Sequence, residues 1–502
     1  MDITATIETP EQLRTYFDRL NAAVSSAHKL VSTKYLVLAD QVVRVLCYDP
    51  EVLPLMEKQL TYVLRDSAEK YDGTIVVWKE SSVKDVAAQL DDKWNPKINM
   101  RLRLDMIYYK QGFPSIWLFD PAWSKYNTVL SMDVAGGFIR GFDANAKTCY
   151  YGVPDFDPEE FIKEGHMFVQ QINRLIQNET TNIAHGAIIG FNNNGVLMCA
   201  RGQRGKSTLT VHAMMHGFEY VSDDYQILQN RNGEVYSWPI YSIITLSPKM
   251  YGELYDDLKG KFVSNNARKD KYVINIAGYH NQFRSNYPIR LCLFPEIVSD
   301  LEPSITFCTS EEKGRAIVQL IQSTVSQMQD LNNHKVIKKM FDMVKDMDFY
   351  KFNLCRDIDA NTEYLRNFLK DFDFSHRKGI PTDKVMVDIT FDLANILDSE
   401  TSTIYSMNKF ATNVYEKLLN GVKKEDIWLS LEPFTVKNES LKEEFELFVD
   451  VVQQKGFVQS TSFKVVDPKV NLEFAEECNF RFSLVEFATE KPIELINLKK
   501  GE

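Results

Sequence analysis

The run ARGQRGKS, residues 200–207, lies between an apolar segment ending in GVLMCA and a helix-forming segment, KSTLTVHAMMH, that stops at Gly217. The segment before it, HGAIIGFNNNGVLMCA, predicts a β-hairpin that turns at Asn193 and Asn194 with Gly195. The segment after it, FEYVSDDYQIL, is strand-like. This order of strand, loop, helix and strand predicts an α/β core with the loop at a strand end.

The loop fits the phosphate-binding pattern G-x-x-x-x-G-K-[ST], with Ala200 in place of the first glycine. Backbone N–H groups and the positive end of the helix can cradle phosphate oxygens there. We expect Gly202 and Gly205 to permit the tight turn and Lys206 to neutralise the β- and γ-phosphates. The predicted nucleotide-binding residues are Ala200, Arg201, Gly202, Gln203, Arg204, Gly205, Lys206, Ser207 and Thr208.

Ser207 is the predicted magnesium ligand of the loop, through its hydroxyl, and Thr208 assists. The alternative for this segment is an ordinary helix start with Lys206 and Ser207 exposed to water. The pattern therefore predicts a nucleotide site that uses Mg²⁺ with ATP or GTP, and the sequence does not choose between the two nucleotides.

Two adjacent carboxylates, Asp223 and Asp224, follow an apolar strand. Their mutual repulsion makes burial without a partner costly, so a nearby cation is the natural compensation. A solvated turn is the alternative interpretation. His185, which opens the hairpin, is by itself more typical of a core or surface histidine than of a catalytic one.

Length and composition restrict the class of protein. A chain of 502 residues predicts two to four domains, and its 44% hydrophobic and 25% charged residues are typical of globular proteins. The net charge of −11 disfavours broad contact with nucleic acid. The chain shows neither a signal peptide nor a membrane-spanning run, which predicts a cytoplasmic protein with no membrane partner. The seven scattered cysteines indicate reduced thiols.

Hydrophobic periodicity predicts a multidomain chain of the α+β and α/β classes. Residues 1–165 form an N-terminal α+β region of unknown role, and residues 166–380 form the phosphate-loop domain. Residues 381–460 predict a small domain with a strand, a hairpin turning near Asp398 to Thr401, and three short helices. Residues 461–502 are a C-terminal extension without an assigned role.

The ordered motifs resemble the kinase domain of the HPr kinase/phosphorylase family, which belongs to the phosphoenolpyruvate-carboxykinase-like phosphate-loop proteins. The resemblance lies in HG at 185 and 186, GVLMCARGQRGKS at 195–207 and MMHGFEYVSDD at 214–224. It implies that Asp223 is the general base for an acceptor hydroxyl, that His185 is a catalytic residue hydrogen-bonded near it, and that Lys206 is also catalytic. It also implies that Asp224 helps Ser207 to hold Mg²⁺. The family's later Glu-Ile-Arg-Gly signature is missing, and YSWPIYSIITLSPK stands in that area.

Residues 381–460 resemble the PqqD-like peptide-binding family, through ILDSETSTIYSMNKFATNVYEKLLNG, EDI and a last helix ending in QKGFV. This resemblance implies a winged-helix-like fold that recognises the leader of a ribosomally made peptide. A three-stranded sheet with an open edge can accept such a peptide as an added strand. The alternative is a domain used for packing or dimerisation alone.

Together the resemblances imply a kinase that transfers a γ-phosphate to a Ser or Thr hydroxyl of a precursor peptide held by the C-terminal domain. One alternative is a kinase for a small molecule, such as free serine or a sugar-like hydroxyl. Another is a non-catalytic, nucleotide-gated peptide chaperone. The sequence does not specify the oligomeric state.

Overall fold

The chain divides into two units in the computed structural model. The first comprises Met1–Thr306, Ser326–Leu331 and Met347–Arg377, and the second comprises Phe307–Val325, Asn332–Asp346 and Lys378–Glu502. The residues described are 18, 21–22, 24–80, 116–118, 129–133, 138–154, 166–202, 204–254, 263–266, 271–279, 282–299, 302–328, 333–375, 379–390, 392–436, 438–458, 482, 484–486 and 494–495. The protein is a mixed α/β protein with several sheets, and the four sequence regions remain a prediction.

An eight-stranded sheet occupies the N-terminal part of the first unit, in the order β3-β1-β2-β4-β8-β7-β6-β5. Its strands are β1 Ser32–Leu38, β2 Gln41–Cys47, β3 Leu64–Arg65, β4 Gly73–Glu80, β5 Ile116–Leu118, β6 Val129–Asp133, β7 Phe138–Asp143 and β8 Thr148–Pro154. Helices α1, Val52–Gln59, and α2, Val169–Ile176, accompany it. The segment KYLVLADQVVRVLCYD contributes to β1 and β2, and TIVVWKE lies within β4.

A nine-stranded sheet carries the phosphate-loop segment. Seven of its strands follow the order β12-β10-β11-β18-β14-β13-β9, and β20 pairs with β18 and β19. A three-stranded sheet, β15-β17-β16, accompanies it. These strands are β9 Thr181–His185, β10 Ala187–Phe191, β11 Asn194–Met198, β12 Glu219–Ser222, β13 Tyr225–Arg231, β14 Glu234–Pro239, β15 Ile243–Leu246, β16 Val263–Asn266, β17 Lys271–Asn275, β18 Tyr287–Ile297, β19 Ser304–Phe307 and β20 Phe349–Leu354.

The helices of this part include α3, which follows the phosphate loop. They are α3 Lys206–Met215, α4 Pro248–Glu253 and α7 Ile358–Lys370. Helices α5 Ser310–Met328 and α6 Asn333–Val344 lie between α4 and α7 in the chain, but most of α5 and all of α6 belong to the second unit. Strands β11 and β18 are parallel, so the loop leaves the end of a strand inside the sheet. The predicted order of strand, loop, helix and strand is confirmed.

The β10–β11 hairpin turns one residue earlier than the sequence predicted. Phe191 pairs with Asn194, which leaves Asn192 and Asn193 as the two turn residues. Both have positive φ angles, 48° and 62°. A two-residue hairpin loop needs this left-handed conformation, and asparagine adopts it more readily than most residues, so the run of three asparagines allowed either register.

One hydrophobic core joins the two large sheets of the first unit. Val45 and Ile75 of the N-terminal sheet belong to the same buried cluster as Ile183 of β9, Ile227 of β13 and Tyr241. The N-terminal strands therefore support the strands that flank the candidate site. This physical link was not apparent from the sequence, because periodicity does not show which sheets share a core.

The second unit contains a five-stranded sheet in the order β21-β22-β23-β24-β25. Its strands are β21 Val385–Thr390, β22 Leu393–Asp398, β23 Thr403–Met407, β24 Leu484–Glu486 and β25 Glu494–Leu495. Three helices follow β23, namely α8 Lys409–Leu419, α9 Lys424–Leu431 and α10 Leu441–Gln454. The strand, hairpin and three helices predicted for this segment are confirmed, while the likeness to a peptide-binding family remains a prediction.

A buried polar network ties α5 to β21 within the second unit. Asp388 is fully buried and accepts hydrogen bonds from Gln319 Nε2 at 2.8 Å and from Thr390 Oγ1 at 3.0 Å. Gly314 of α5 gives room to Met386, because a Cβ there would lie 2.9 Å from the Met386 Cγ. Part of α5, which precedes the predicted boundary, thus packs as part of this unit.

No helix among the described residues has the length and apolar character needed to cross a membrane. The six cysteines within the described ranges are buried and form no disulfide with one another, and they include Cys199 next to the phosphate loop. The predicted cytoplasmic location stays a prediction.

Candidate functional site

The phosphate loop connects the end of β11 to the start of α3. Cys199 N donates to Leu293 O at 2.9 Å, which extends the pairing with β18 by one residue before the loop leaves the sheet. Gly205 is the N-cap of α3, and its carbonyl accepts the first helical hydrogen bond from Leu209 N at 2.9 Å. The free N–H groups of the first turn of α3 therefore lie at the end of the loop, where an anion can bind.

The two loop glycines are not equivalent. Gly205 has φ = 86°, a backbone conformation that favours glycine, and a Cβ there would lie 2.7 Å from Leu354 Cδ1, so the Leu354 side chain would have to shift. Gly202 is exposed, has nothing within 4 Å of its Cβ position and has no positive φ. The left-handed conformation in the loop therefore belongs to Gly205, and the role predicted for Gly202 in the turn remains a prediction.

The other predicted nucleotide-binding residues differ in exposure. Ala200 and Arg201 are buried, Arg204, Ser207 and Thr208 are half-buried, and Gln203 lies outside the described residues. The half-buried hydroxyls of Ser207 and Thr208 are on the first turn of α3, where a phosphate-bound cation would need them.

Lys206 lies across the loop with its ammonium group buried. Its Nζ donates to Ala200 O at 2.5 Å and to Arg201 O at 3.1 Å. Burial lowers the pKa of Lys206, while the charges of Asp224 and Asp223 act in the opposite direction. The ammonium is therefore held beside the loop backbone and close to the two carboxylates, which excludes the alternative of a lysine exposed to water.

Asp223 and Asp224 separate β12 from β13, which the sequence predicted as one continuous strand. Asp224 has φ = 61°, a left-handed conformation that breaks the strand, and Tyr225 N donates back to Asp223 O at 2.8 Å. Because of this break, the side chains of Asp223 and Asp224 lie in different surroundings. Thr245 Oγ1 donates to Asp224 Oδ2 at 3.3 Å, whereas Asp223 is only 1% exposed.

The Asp223 carboxylate is buried without full compensation. Neither oxygen has a hydrogen bond of good geometry within the part of the chain that the structure describes. Burial, followed by the charge of Asp224, raises the pKa of Asp223 to about 7, although Lys271, the Ser207 hydroxyl and Lys206 lower it. A carboxylate with these properties can accept a proton near neutral pH.

His185 is paired with the second aspartate. Its Nε2 lies 3.7 Å from Asp224 Oδ1, and Gly186 N donates to Asp224 O at 2.9 Å. We expected His185 beside Asp223, and the structure instead gives it an ion-pair distance to Asp224. The strand break explains this contact. His185 of β9 pairs with Tyr225 of β13, so it lies next to Asp224, the residue that precedes Tyr225.

Lys271 and Thr245 belong to the site but were not predicted from the sequence. Lys271, at the start of β17, is the first cationic neighbour that lowers the pKa of Asp223. Thr245, in β15, binds Asp224. Both come from the three-stranded sheet, and neither stands in a motif with the other site residues. The segment YSIITLSPK, which contains Thr245, stands where the family's Glu-Ile-Arg-Gly signature is missing. This replacement was the one sequence signal that pointed to the region.

The donor set fits Mg²⁺. Magnesium is bound through carboxylate and hydroxyl oxygens, and the site offers the Ser207 hydroxyl and two carboxylates close to Lys206. The unbonded oxygens of buried Asp223 are the kind of group that a nearby cation compensates. The residues that would hold the ion are Ser207 and Asp224, with Asp223 adjacent to them.

No family model matches the chain, and no curated protein matches its sequence. One solved structure that aligns with it is the Hpr(Ser) kinase/phosphatase from Coxiella burnetii, over 38% of this chain and 97% of the other, at 12% sequence identity and a TM-score of 0.22. A TM-score this low does not establish a shared fold, so the site rests on its own geometry.

Replacing Gly205 by alanine is expected to destabilise the protein. The substitution forces a positive φ on alanine and brings its Cβ against Leu354, which should lower the free energy of unfolding by about 1 to 3 kcal/mol. Gly202→Ala is the matched control and should change it by less than about 0.5 kcal/mol. Urea unfolding of both variants checks this expectation. Equal losses for the two would contradict it.

Asp223→Asn is expected to stabilise the protein above about pH 5. The pKa of Asp223 is raised from 3.8 to about 7, so its contribution to stability is full below about pH 4 and is lost as pH rises through 7. Asparagine does not ionise, so the variant should gain stability over the parent between pH 5 and 8, with an upper limit of about 4 kcal/mol.

Melting temperatures measured from pH 4 to pH 8 test this expectation. Asp224→Asn is the control, because Asp224 is partly exposed and accepts a hydrogen bond from Thr245, and its gain should be much smaller. An Asp223→Asn protein that melts at or below the parent at pH 8 would show that the carboxylate is not buried as a charge.

Proposed function

We propose that the protein is a magnesium- and nucleotide-dependent phosphotransferase that moves the γ-phosphate of ATP or GTP to a Ser or Thr hydroxyl of a ribosomally made precursor peptide. The observation that carries the proposal is the buried carboxylate of Asp223, which lacks a well-formed hydrogen bond and has a pKa near 7, close to Lys206 and Ser207 at the start of α3. A base, a cation and a helix start are the parts that phosphoryl transfer requires.

Nucleotide binding is proposed at the loop. The N–H groups at the start of α3 receive phosphate oxygens, and the Lys206 ammonium exchanges the carbonyls of Ala200 and Arg201 for the β- and γ-phosphates. This exchange costs little desolvation, because the ammonium is already buried in the free protein. The arrangement favours a di- or triphosphate over a neutral ligand.

Asp223 is proposed as the general base. The acceptor hydroxyl oxygen forms a bond to the γ-phosphorus, the bond between that phosphorus and the β–γ bridging oxygen breaks, and the nucleoside diphosphate leaves with the electron pair. The proton of the hydroxyl moves to an oxygen of Asp223. A base with a pKa near 7 is ionised often enough to accept this proton and basic enough to remove it.

Ser207 and Asp224 are proposed to hold Mg²⁺, which when bound supplies positive charge to the transferring phosphoryl group. His185 is then a positioning residue, since its Nε2 lies 3.7 Å from Asp224 Oδ1. Thr245 fixes the other oxygen of the same carboxylate. This assignment gives the two aspartates separate roles, as their different surroundings favour.

The peptide is proposed to pair with β23. We expected an open sheet edge there, but β24 of the same chain occupies it, with Tyr405 opposite Glu486 and Met407 opposite Leu484. Phe482, just before β24, packs 4.7 Å from the ring of Phe448 in α10. Since three residues of β24 pair with β23 in the described part of the chain, a longer peptide strand offers more main-chain hydrogen bonds and can displace it.

The occupied edge also favours a second candidate function. If β24 stays in place, the second unit has a purely structural role and the phosphotransferase acts on a small molecule with a free hydroxyl. The two candidates share the same chemistry at Asp223 and Lys206. They differ in whether β24 has to leave β23.

Asp223→Asn should abolish phosphoryl transfer. We expect the rate to fall by about 10² to 10⁴, the usual contribution of a general base, with nucleotide affinity nearly unchanged. The assay exposes a peptide-rich extract of the native host to the protein, Mg²⁺ and γ-labelled ATP or GTP. In the parent, kcat/KM for the labelled acceptor should rise about tenfold per pH unit below about 7 and level off above it, because the base acts when ionised.

Asp224→Asn is the comparison variant and should raise the Mg²⁺ concentration needed for half-maximal activity. Near-normal turnover by Asp223→Asn would show that Asp223 is not the base. Bound nucleotide without transfer in the parent would favour the non-catalytic alternative.

A reversible disulfide between β23 and β24 separates the two candidate functions. Ser406 and Val485 are opposite each other, so the double variant S406C/V485C can lock β24 in place. The oxidised protein should lose phosphorylation of the peptide and regain it with a reductant, while nucleotide binding remains. The same sample with and without reductant provides the control. Full activity of the locked protein on a peptide would contradict displacement of β24, and label in a small metabolite would favour the second candidate.

A further inference from the structure

Two histidines and an aspartate come together where α3 ends and α7 begins. His212 lies in the last turn of α3, His216 is its C-cap and Asp359 is in the first turn of α7. Asp359 Oδ1 lies 3.2 Å from His212 Nε2 and 3.6 Å from His216 Nε2. One ligand atom of each residue lies within 4.8 Å of the others.

Both imidazole rings are oriented by contacts through their other nitrogen. His212 Nδ1 lies 2.8 Å from Thr362 Oγ1, and His216 Nδ1 lies 2.9 Å from the backbone carbonyl of His212. A carbonyl accepts only from a protonated Nδ1, so in the neutral ring of His216 the lone pair is on Nε2, which lies 3.6 Å from Asp359 Oδ1. Metal-binding histidines are typically held in this way by a hydrogen bond to the second nitrogen.

Ion pairs between Asp359 and the two histidines explain this cluster less well than a bound metal ion does. The two rings are stacked with centroids 4.1 Å apart, so two protonated imidazoles would repel each other at close range. One carboxylate faces both of them. A divalent cation uses the lone pairs of both neutral rings and the carboxylate at once, and it removes this repulsion.

The distances fit a tetrahedral ion. With metal–ligand bonds of about 2.0 to 2.1 Å, two ligands of a tetrahedron are about 3.3 Å apart, which the observed 3.2 and 3.6 Å approach. The ligand types are two nitrogens and one oxygen, which suit Zn²⁺, while Mg²⁺ prefers oxygen alone. Solvent can reach the cluster, because the side chain of His216 is 45% exposed and that of Asp359 is 78% exposed.

We propose that His212, His216 and Asp359 form a zinc site with a water molecule as fourth ligand, separate from the magnesium site of the phosphate loop. His212 lies six residues along α3 from Lys206, a distance of about 9 Å along the helix axis. The ion would fasten the end of α3 to the start of α7. This proposal does not depend on the proposed phosphotransferase function.

The test measures Zn²⁺ binding to the full chain, prepared without an affinity tag, by isothermal titration calorimetry. The parent should bind one Zn²⁺ that Mg²⁺ does not displace. His216→Ala and Asp359→Asn should each weaken binding by about 100-fold or more, and Thr362→Val, which removes only the orienting hydroxyl, by about 10-fold. Because His216 and Asp359 are exposed, these two variants should fold normally.

Two matched controls lie elsewhere on helices. His334→Ala removes an exposed histidine of α6, and Glu363→Gln removes an exposed carboxylate one turn along α7 from Asp359. Both should bind Zn²⁺ like the parent. Zn²⁺ should also raise the melting temperature of the parent and of the controls but not of His216→Ala. A parent that takes up no Zn²⁺, or ligand variants that bind it as tightly as the parent, would overturn the proposal.

Discussion

The site depends on the burial of opposite charges that only partly satisfy one another. Lys206 and Asp223 are both taken out of water, and each has a shifted pKa because burial opposes its charged form. Lys206 compensates through loop carbonyls, but Asp223 has no equivalent set of hydrogen bonds among the described residues. Hydration would stabilise the charged forms of Lys206 and Asp223, so the packing of the sheets and of the shared core of the first unit has to keep these two side chains buried. Binding of a proton or of a cation therefore lowers the free energy of the buried Asp223 carboxylate.

Local features were predictable because they follow from short-range chemistry. The loop, α3 and its end at Gly217 follow from glycine conformations and helical periodicity, and the strands of the second unit follow from alternation. The hairpin turn was displaced by one residue because three consecutive asparagines permit either register. The strand through Asp223 and Asp224 was predicted as continuous because no residue type there requires the left-handed conformation that Asp224 adopts.

Long-range pairings were not predictable. The partner of His185 depends on which residue of β13 lies opposite it. Thr245 and Lys271 reach the site through a small sheet that carries no motif. The filling of the β23 edge by β24 joins residues far apart in the chain, as does the contact of His212 with Asp359. In each case the sequence supplied the residue type but not the neighbour.

The contact between Gly205 and Leu354 links the loop to the strand behind it. Leu354 ends β20, and the chain continues through Cys355 to Asp357, whose side chain caps α7 by accepting from Ala360 N. The Cβ position of Gly205 lies 2.7 Å from Leu354 Cδ1, so the loop backbone approaches the end of β20 more closely than a residue with a side chain allows without a shift of Leu354. A substitution of Leu354 can therefore change the packing of the phosphate loop, although Leu354 is itself outside the phosphate-binding pattern.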